Sequence, residues 1–326
     1  MFIFSFKKIR KFAKKITIYF LIVGCLTLAI NQIYLFQQDK KSLGTMRDKK
    51  NDNAYIYDVP YGIQVCDFGN SHGYYGFNYE KYQEEYVCYN FALPSQSMTY
   101  NYNILQEYID HFDEGAYVFI CVSYNSFFGI DEVEFDDFSL KNRRYYRFLS
   151  NDKIKEYSWK EDLILNYFPM MEIDLPMWKD VEDKNIDIWH RITSEGEVRK
   201  QIDIRYVEHV GQNYDENGNI IMNEDEIEAL VQMIELCKDK NLHPILITTP
   251  FLGEYTEAID ENAPDFWEKY YTIVGDIVSQ YDVEYFDYAR EQAFIKNYDW
   301  YMNIDHLNYW GAEHFTDIIF GKILNS

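Results

Sequence analysis

The chain begins with a basic pattern and then turns wholly apolar. Lys7, Lys8, Arg10, Lys11, Lys14 and Lys15 crowd the first 15 positions, and Ile16 to Phe36 follows without a charge. As a helix these 21 residues rise about 30 Å, the thickness of a bilayer's hydrocarbon core. They predict one membrane-spanning anchor behind a tail at 1–15. The basic flank puts that tail in the cytoplasm and the remaining chain outside a bacterial cytoplasmic membrane. A cleaved signal is the rival reading, with an h-region ending near Gly24 and a lipoprotein-like box at Ile22-Val23-Gly24-Cys25. Against cleavage, the apolar run continues past Cys25 through Leu26, Leu28, Ala29 and Ile30.

Residues 37–57 are polar and charged and read as a stalk, so the folded region is expected over 58–326. Within it, brief runs rich in β-branched and aromatic residues predict buried strands at Ile63 to Phe68, Tyr86 to Leu93, Tyr117 to Val122 and His243 to Thr249, with a weaker one at Val283 to Phe286. Helical patterns alternate with them at Met98 to Phe112, Asn223 to Cys237, Phe266 to Gln280 and Gly311 to Leu324. Asn223 followed by Glu226 has the form of a capping box. The alternation predicts an α/β fold of three layers, α/β/α and flavodoxin-like, with a central parallel sheet of about five strands and its crevice at the strands' carboxyl ends. The rhythm breaks at about 129–222, which reads as an insertion containing helix-like pieces at Leu140 to Leu149 and Trp159 to Tyr167.

Composition narrows the function. Beyond the tail, 25 basic residues face 54 acidic ones, a surface that repels phosphate backbones, so nucleic-acid binding is not expected. Tyrosine is abundant at 31 residues, which suits stacking on sugar rings as well as an aromatic core. Of five cysteines, Cys66, Cys121 and Cys237 fall on apolar positions and read as core thiols. No zinc spacing, disulfide framework or cofactor fingerprint is present, and no metal or cofactor is expected.

The first predicted strand ends in Cys66-Asp67-Phe68-Gly69-Asn70-Ser71-His72-Gly73, with glycines flanking a hydroxyl at the strand's carboxyl edge. A serine there is a candidate nucleophile that needs a histidine base; the alternative is an ordinary polar turn. His306, in Asn303-Ile304-Asp305-His306-Leu307-Asn308-Tyr309-Trp310-Gly311-Ala312 before the last helix, has the best context of the seven histidines. His72 adjoins Ser71 and is better placed to shape the site or touch substrate than to act as base.

In their order and placement these blocks resemble the SGNH/GDSL hydrolase superfamily, in its membrane-anchored branch similar to the D-alanyl transfer protein of lipoteichoic acid synthesis and to alginate O-acetylation proteins. Gly69-Asn70-Ser71-His72 looks like the Gly-Asp-Ser block, and Asp305-His306-Leu307-Asn308 with Gly311-Ala312 like the closing block. The resemblance implies Ser71 as nucleophile, His306 as general base, and an oxyanion hole from Ser71's own N–H, the backbone of Ser95 and the side chain of Asn125. It also implies a partner, a multi-pass membrane O-acyltransferase, and an acceptor such as a cell-surface glycan or teichoic acid. The sequence departs from the family at Asn303, which holds an amide where the acid that orients the histidine belongs. Asp305 can replace that acid only across an irregular turn, since neighbouring side chains diverge on regular elements. The reading is therefore serine-dependent acyl transfer or ester hydrolysis outside the membrane, with a catalytically silent polymer-binding or scaffolding module as the alternative.

Two further patterns stand apart. Asn213 to Glu224 approximates a calcium loop, although Asn217-Gly218 is also a hairpin-turn signal. Lys141, Arg143, Arg144 and Arg147 form a basic cluster that either pairs with the acidic run Asp131, Glu132, Glu134, Asp136 and Asp137 or receives an anionic partner.

Overall fold

A computed structural model of the protein describes residues 6–42, 59–129, 142, 144–168 and 188–324. These fall into two units, one holding the amino-terminal helix and the described part of 139–184, the other the remaining sheet-containing residues.

In the first unit, α1 runs from Phe6 to Ser42 and is exposed from Lys8 to Ile30, as a helix solvated by lipid rather than protein would be. It is long and apolar enough to span a membrane. The other described residues of this unit include the helix Trp159–Tyr167, whose Asn166 carbonyl accepts a bond from Gln32 Nε2 of α1 at 3.2 Å. Of the basic cluster, Arg144 donates to the hydroxyl of Tyr145 at 2.8 Å; Lys141, Arg143 and the acidic run lie outside the described residues.

The second unit is a three-layer α/β/α fold around five parallel strands: β1 Ile63–Phe68, β2 Cys88–Asn90, β3 Phe112–Cys121, β4 His243–Thr248 and β5 Glu284–Asp287. Their order is β2-β1-β3-β4-β5, so the chain reverses its direction of growth after β2, and the carboxyl ends of β1 and β3 share one edge with β4. The central strands are buried on both faces, which is why their sequences run apolar without alternating. The strand expected over Tyr86 to Leu93 is shorter, at 88–90, although Phe91 and Leu93 still donate to the carbonyls of Asp67 and Gly69 at the end of β1. β3 begins earlier than its apolar run: Ile63 pairs with Phe112, the register shifts, and pairing resumes at Val65 and Tyr117. The intervening residues include exposed Asp113 and Glu114, and Gly115 at φ +80°.

The helix Met98–Tyr108 packs against the later helix Glu224–Asp239. Asn223 caps the latter by accepting from the N–H of Glu226 at 3.3 Å, half of the expected capping box. The Glu226 carboxylate instead accepts from the N–H of Met98 and from the Thr99 hydroxyl, joining the two helix starts. Three helices without a strong sequence pattern appear: the six-residue Ser71–Gly76, then Glu195–His209 and Gly253–Asn262. Phe128 and Met222 form an antiparallel bridge. Asn213 to Glu224 forms a hairpin: Tyr214 bridges Ile220, and the Asp215 carboxylate accepts from the N–H groups of Asn217 and Asn219, each at 2.8 Å. That carboxylate, which a calcium loop would point inward, is taken up by its own turn.

Candidate active site

The site forms where β1 and β3 end. After Phe68 the chain turns at Gly69, whose position tolerates no side chain, since a Cβ would lie 2.7 Å from that of Cys121. Its N–H donates to Asn101 Oδ1 at 2.9 Å, and its carbonyl accepts from the buried Gln96 amide at 3.3 Å. This fixes the turn from beneath. Ser71 then begins the short helix Ser71–Gly76, capped by Asn70, whose Oδ1 accepts from His72 N–H at 3.0 Å.

His306 reaches the same place from the far end of the chain. Its loop is closed by the bridge between Tyr301 and Leu307 and by the bond from Met302 N–H to the His306 carbonyl, 3.1 Å. Asn308 caps the last helix, Tyr309–Ile323, by accepting from Gly311 N–H at 3.0 Å. Gly311 lies against Trp300, where an added Cβ would be 2.1 Å from the carbonyl oxygen. The result is a hydrogen bond of 2.8 Å between His306 Nε2 and Ser71 Oγ, with Ser71 half-buried and His306 only 6% exposed. A serine and an imidazole at this distance can pass a proton when the hydroxyl attacks an electrophile.

Around His306 Nδ1, two neighbours divide the work of an orienting acid. Asn303 Oδ1 accepts from the backbone N–H groups of Asp305 at 3.2 Å and His306 at 2.8 Å, and from the ring Nδ1 at 3.1 Å. Because the two backbone donors require an oxygen there, the amide orientation is fixed, and Nδ1 carries the proton that leaves Nε2 free to accept. Asp305, 1% exposed, places Oδ1 2.9 Å from Nδ1 and Oδ2 3.6 Å from His72 Nε2. Asn303 therefore holds the ring's direction, with the Asp305 carboxyl against the same nitrogen. The bends of residues 302–305 let a carboxylate face the side chain of its own chain neighbour.

The imidazole of His72 stacks on that of His306, centroids 4.7 Å apart and planes 6° from parallel, and Tyr75 sets its ring edgewise to His306 at 5.5 Å. His72 Nδ1 lies 2.8 Å from Ser123 Oγ, which donates to Asn70 Oδ1 at 2.9 Å. Sequence inspection assigned no part to Tyr75 or Ser123; the only trace was Tyr75 four residues after Ser71, hence on its helix face. His72, Asp305 and His306 bring possible metal-ligand atoms within 4.8 Å of one another, but parallel rings hold their lone pairs in separate planes that do not converge on one ion.

Ser95 and Asn125 make no hydrogen bond to Ser71 or His306 among the described residues. Ser95 is exposed with φ +54°, the left-handed conformation that a glycine adopts without strain. Asn125 lies in the turn after β3, half-buried, and its Oδ1 is buried without a hydrogen-bond partner. Burial pushes the thiols of Cys66 and Cys121 well above their ordinary pKa, and those of Cys88 and Cys237 up to about 12, so these groups are inert packing beneath the site.

No protein-family model matches the chain, and no curated protein matches it. Two solved structures are similar over most of their length. One, from Bacteroides fragilis NCTC 9343 and described as a candidate acylhydrolase, shares 12% identity at a TM-score of 0.39, covering 87% of this chain and 97% of that one. The other, from Streptococcus pneumonia and described as a candidate platelet activating factor, shares 13% identity at a TM-score of 0.39, covering 90% and 99%. At such values the chemistry has to be read from the site itself.

Proposed function

We propose that this chain is a serine-dependent acyl-transfer enzyme of the outer face of a bacterial cytoplasmic membrane, an O-acyltransferase or esterase acting on a cell-envelope glycan or teichoic acid. The observation that carries the reading is the 2.8 Å bond from Ser71 Oγ to His306 Nε2. Ser71 Oγ attacks the acyl carbonyl carbon as its proton passes to His306 Nε2. The tetrahedral oxyanion is held by Ser71's own N–H, the backbone near Ser95 and the Asn125 amide, donors of a kind worth about 3 kcal/mol each. Collapse breaks the bond to the leaving alcohol, which takes the proton from His306. A sugar or polyol hydroxyl, or water, then gives its proton to His306 and takes the acyl group, and His306 returns that proton to the departing Ser71 Oγ. Asp305 and Asn303 stabilise and orient the imidazolium formed in each half-reaction.

The amino-terminal lysines and arginine support a cytoplasmic tail, an anchor over 16–36 and a site outside. A multi-pass membrane O-acyltransferase is the partner that would export the acyl group to Ser71. Labelling of the full-length protein by a fluorophosphonate, lost in Ser71→Ala, is the expected result. No labelling, with unchanged surface acylation in Ser71→Ala cells, would sink the enzyme reading and favour a silent binding module.

A further inference from the structure

We propose that His72 is a positioning residue that carries the positive charge balancing Asp305, so that Asp305 faces His306 as an anion while His306 stays neutral and able to take the proton of Ser71. The inference rests on the function proposed above and deepens it. It follows from a chain of forced hydrogen bonds. The backbone N–H of His72 can only donate, so the Asn70 atom it meets at 3.0 Å is an oxygen. That oxygen also faces Ser123 Oγ at 2.9 Å, so the hydroxyl must spend its single proton there. Ser123 Oγ can then only accept from His72 Nδ1 at 2.8 Å, and Nδ1 is protonated.

The other ring nitrogen decides the charge. A neutral ring with its proton on Nδ1 would turn the Nε2 lone pair toward Asp305 Oδ2 at 3.6 Å, a repulsive arrangement in a site where both side chains are at most 2% exposed. With a proton on Nε2 the contact becomes an ion pair, and the buried carboxylate meets a cation on the side away from His306. The groups facing the His72 ring include the Asp305 carboxylate, the stacked His306 imidazole, the Ser123 hydroxyl, the Tyr124 ring at 5.7 Å and the Phe251 ring at 5.3 Å. The Tyr124 hydroxyl is engaged with that of Tyr255 at 2.9 Å. The proton on His72 is not transferred in the reaction; it keeps Asp305 ionised before His306 becomes an imidazolium.

The test is the rate at which a fluorophosphonate labels Ser71 in the full-length protein, followed from about pH 5 to 9. In wild type the rate should fall on the acid side, as for any hydroxyl whose attack needs a free general base. His72→Gln removes the charge on the far side of Asp305, so the carboxylate acts more strongly on His306 and the acid limb should move up by about one unit; Asp305→Asn removes the anion and should move it down by a similar amount. Ser123→Ala, a smaller change that frees the ring of His72, should move the limb in the direction of His72→Gln by less. A purely structural role for His72 would lower the rate at every pH and leave the limb in place, and that result overturns the inference while the function stands. If His72→Gln does not fold, an unmoved limb in Ser123→Ala overturns it instead. Absence of Ser71 labelling in wild type removes the function and this inference together.

Discussion

Asp305 Oδ1 lies 2.9 Å from Nδ1 of His306, the next residue in the chain. Consecutive side chains on a helix or strand diverge, so this pairing exists because the loop 301–307 is pinned by ties that include the Tyr301–Leu307 bridge, the Asn303 amide, and, last, the bond from Leu252 N–H to the Ile304 carbonyl at 3.4 Å. The last of these ties the loop to the segment after β4. The Asn303 amide and a carboxylate from a neighbouring position thus meet the same ring nitrogen.

Asn303 holds the loop as well as the ring. Asn303→Ala removes the acceptor of two backbone N–H groups and one ring N–H, and should cost about 1 to 3 kcal/mol in chemical denaturation. Asn303→Asp keeps an oxygen for all three donors and should fold as well as wild type. The added carboxylate favours the His306 imidazolium, so the acid limb of Ser71 labelling should move to higher pH in Asn303→Asp.

Two glycines on helices give opposite outcomes. Gly311→Ala places a methyl against the Trp300 carbonyl and should destabilise by about 1 to 3 kcal/mol while disturbing the loop that carries His306. Gly275, on the helix Pro264–Tyr281, has nothing within 4 Å of a built Cβ, so Gly275→Ala should stabilise by about 0.5 to 1 kcal/mol. Denaturant midpoints of the two variants check both signs.

The buried thiols should be silent. Cys66, Cys88, Cys121 and Cys237 are free and buried, and burial keeps them as thiols, while alkylation requires thiolate. Mass spectrometry after iodoacetamide treatment near pH 8 should find these four unmodified in the native protein and modified in denaturant. Modification of any of them in the native protein would show that the region beneath Ser71 opens.

Orientation across the membrane has its own test. Protease added to intact sphaeroplasts should digest the region 59–324 while an epitope tag placed before Met1 survives until the cells are lysed. Loss of the tag first would invert the proposed topology and place Ser71 in the cytoplasm.

Local pattern was enough to reveal the anchor helix, the five-stranded parallel sheet and its layers, because these arise from runs of apolar residues whose length and period are written in adjacent positions. The nearness of Ser71 and His306 was anticipated from two blocks at opposite ends of the chain; parallel strands gather their carboxyl ends at one edge, and a loop before the last helix can lean over it. Ser71–Gly76 was invisible as a helix, since six residues hold less than two turns of any period. The early start of β3 was equally hidden, because a register shift beside β1 depends on the partner strand. Residue types alone gave Asn303, Asp305 and His72 general parts, the amide, the substitute carboxylate and a shaping ring, but not the atoms each would meet. That division depends on where side chains point, which is settled by hydrogen bonds between segments distant in sequence: Asn70 to Ser123, Ser123 to His72, and Asp305 between two stacked rings. Only the folded chain brings those donors and acceptors together, and so only the tertiary structure decided that Asn303 and Asp305 both meet Nδ1 of His306.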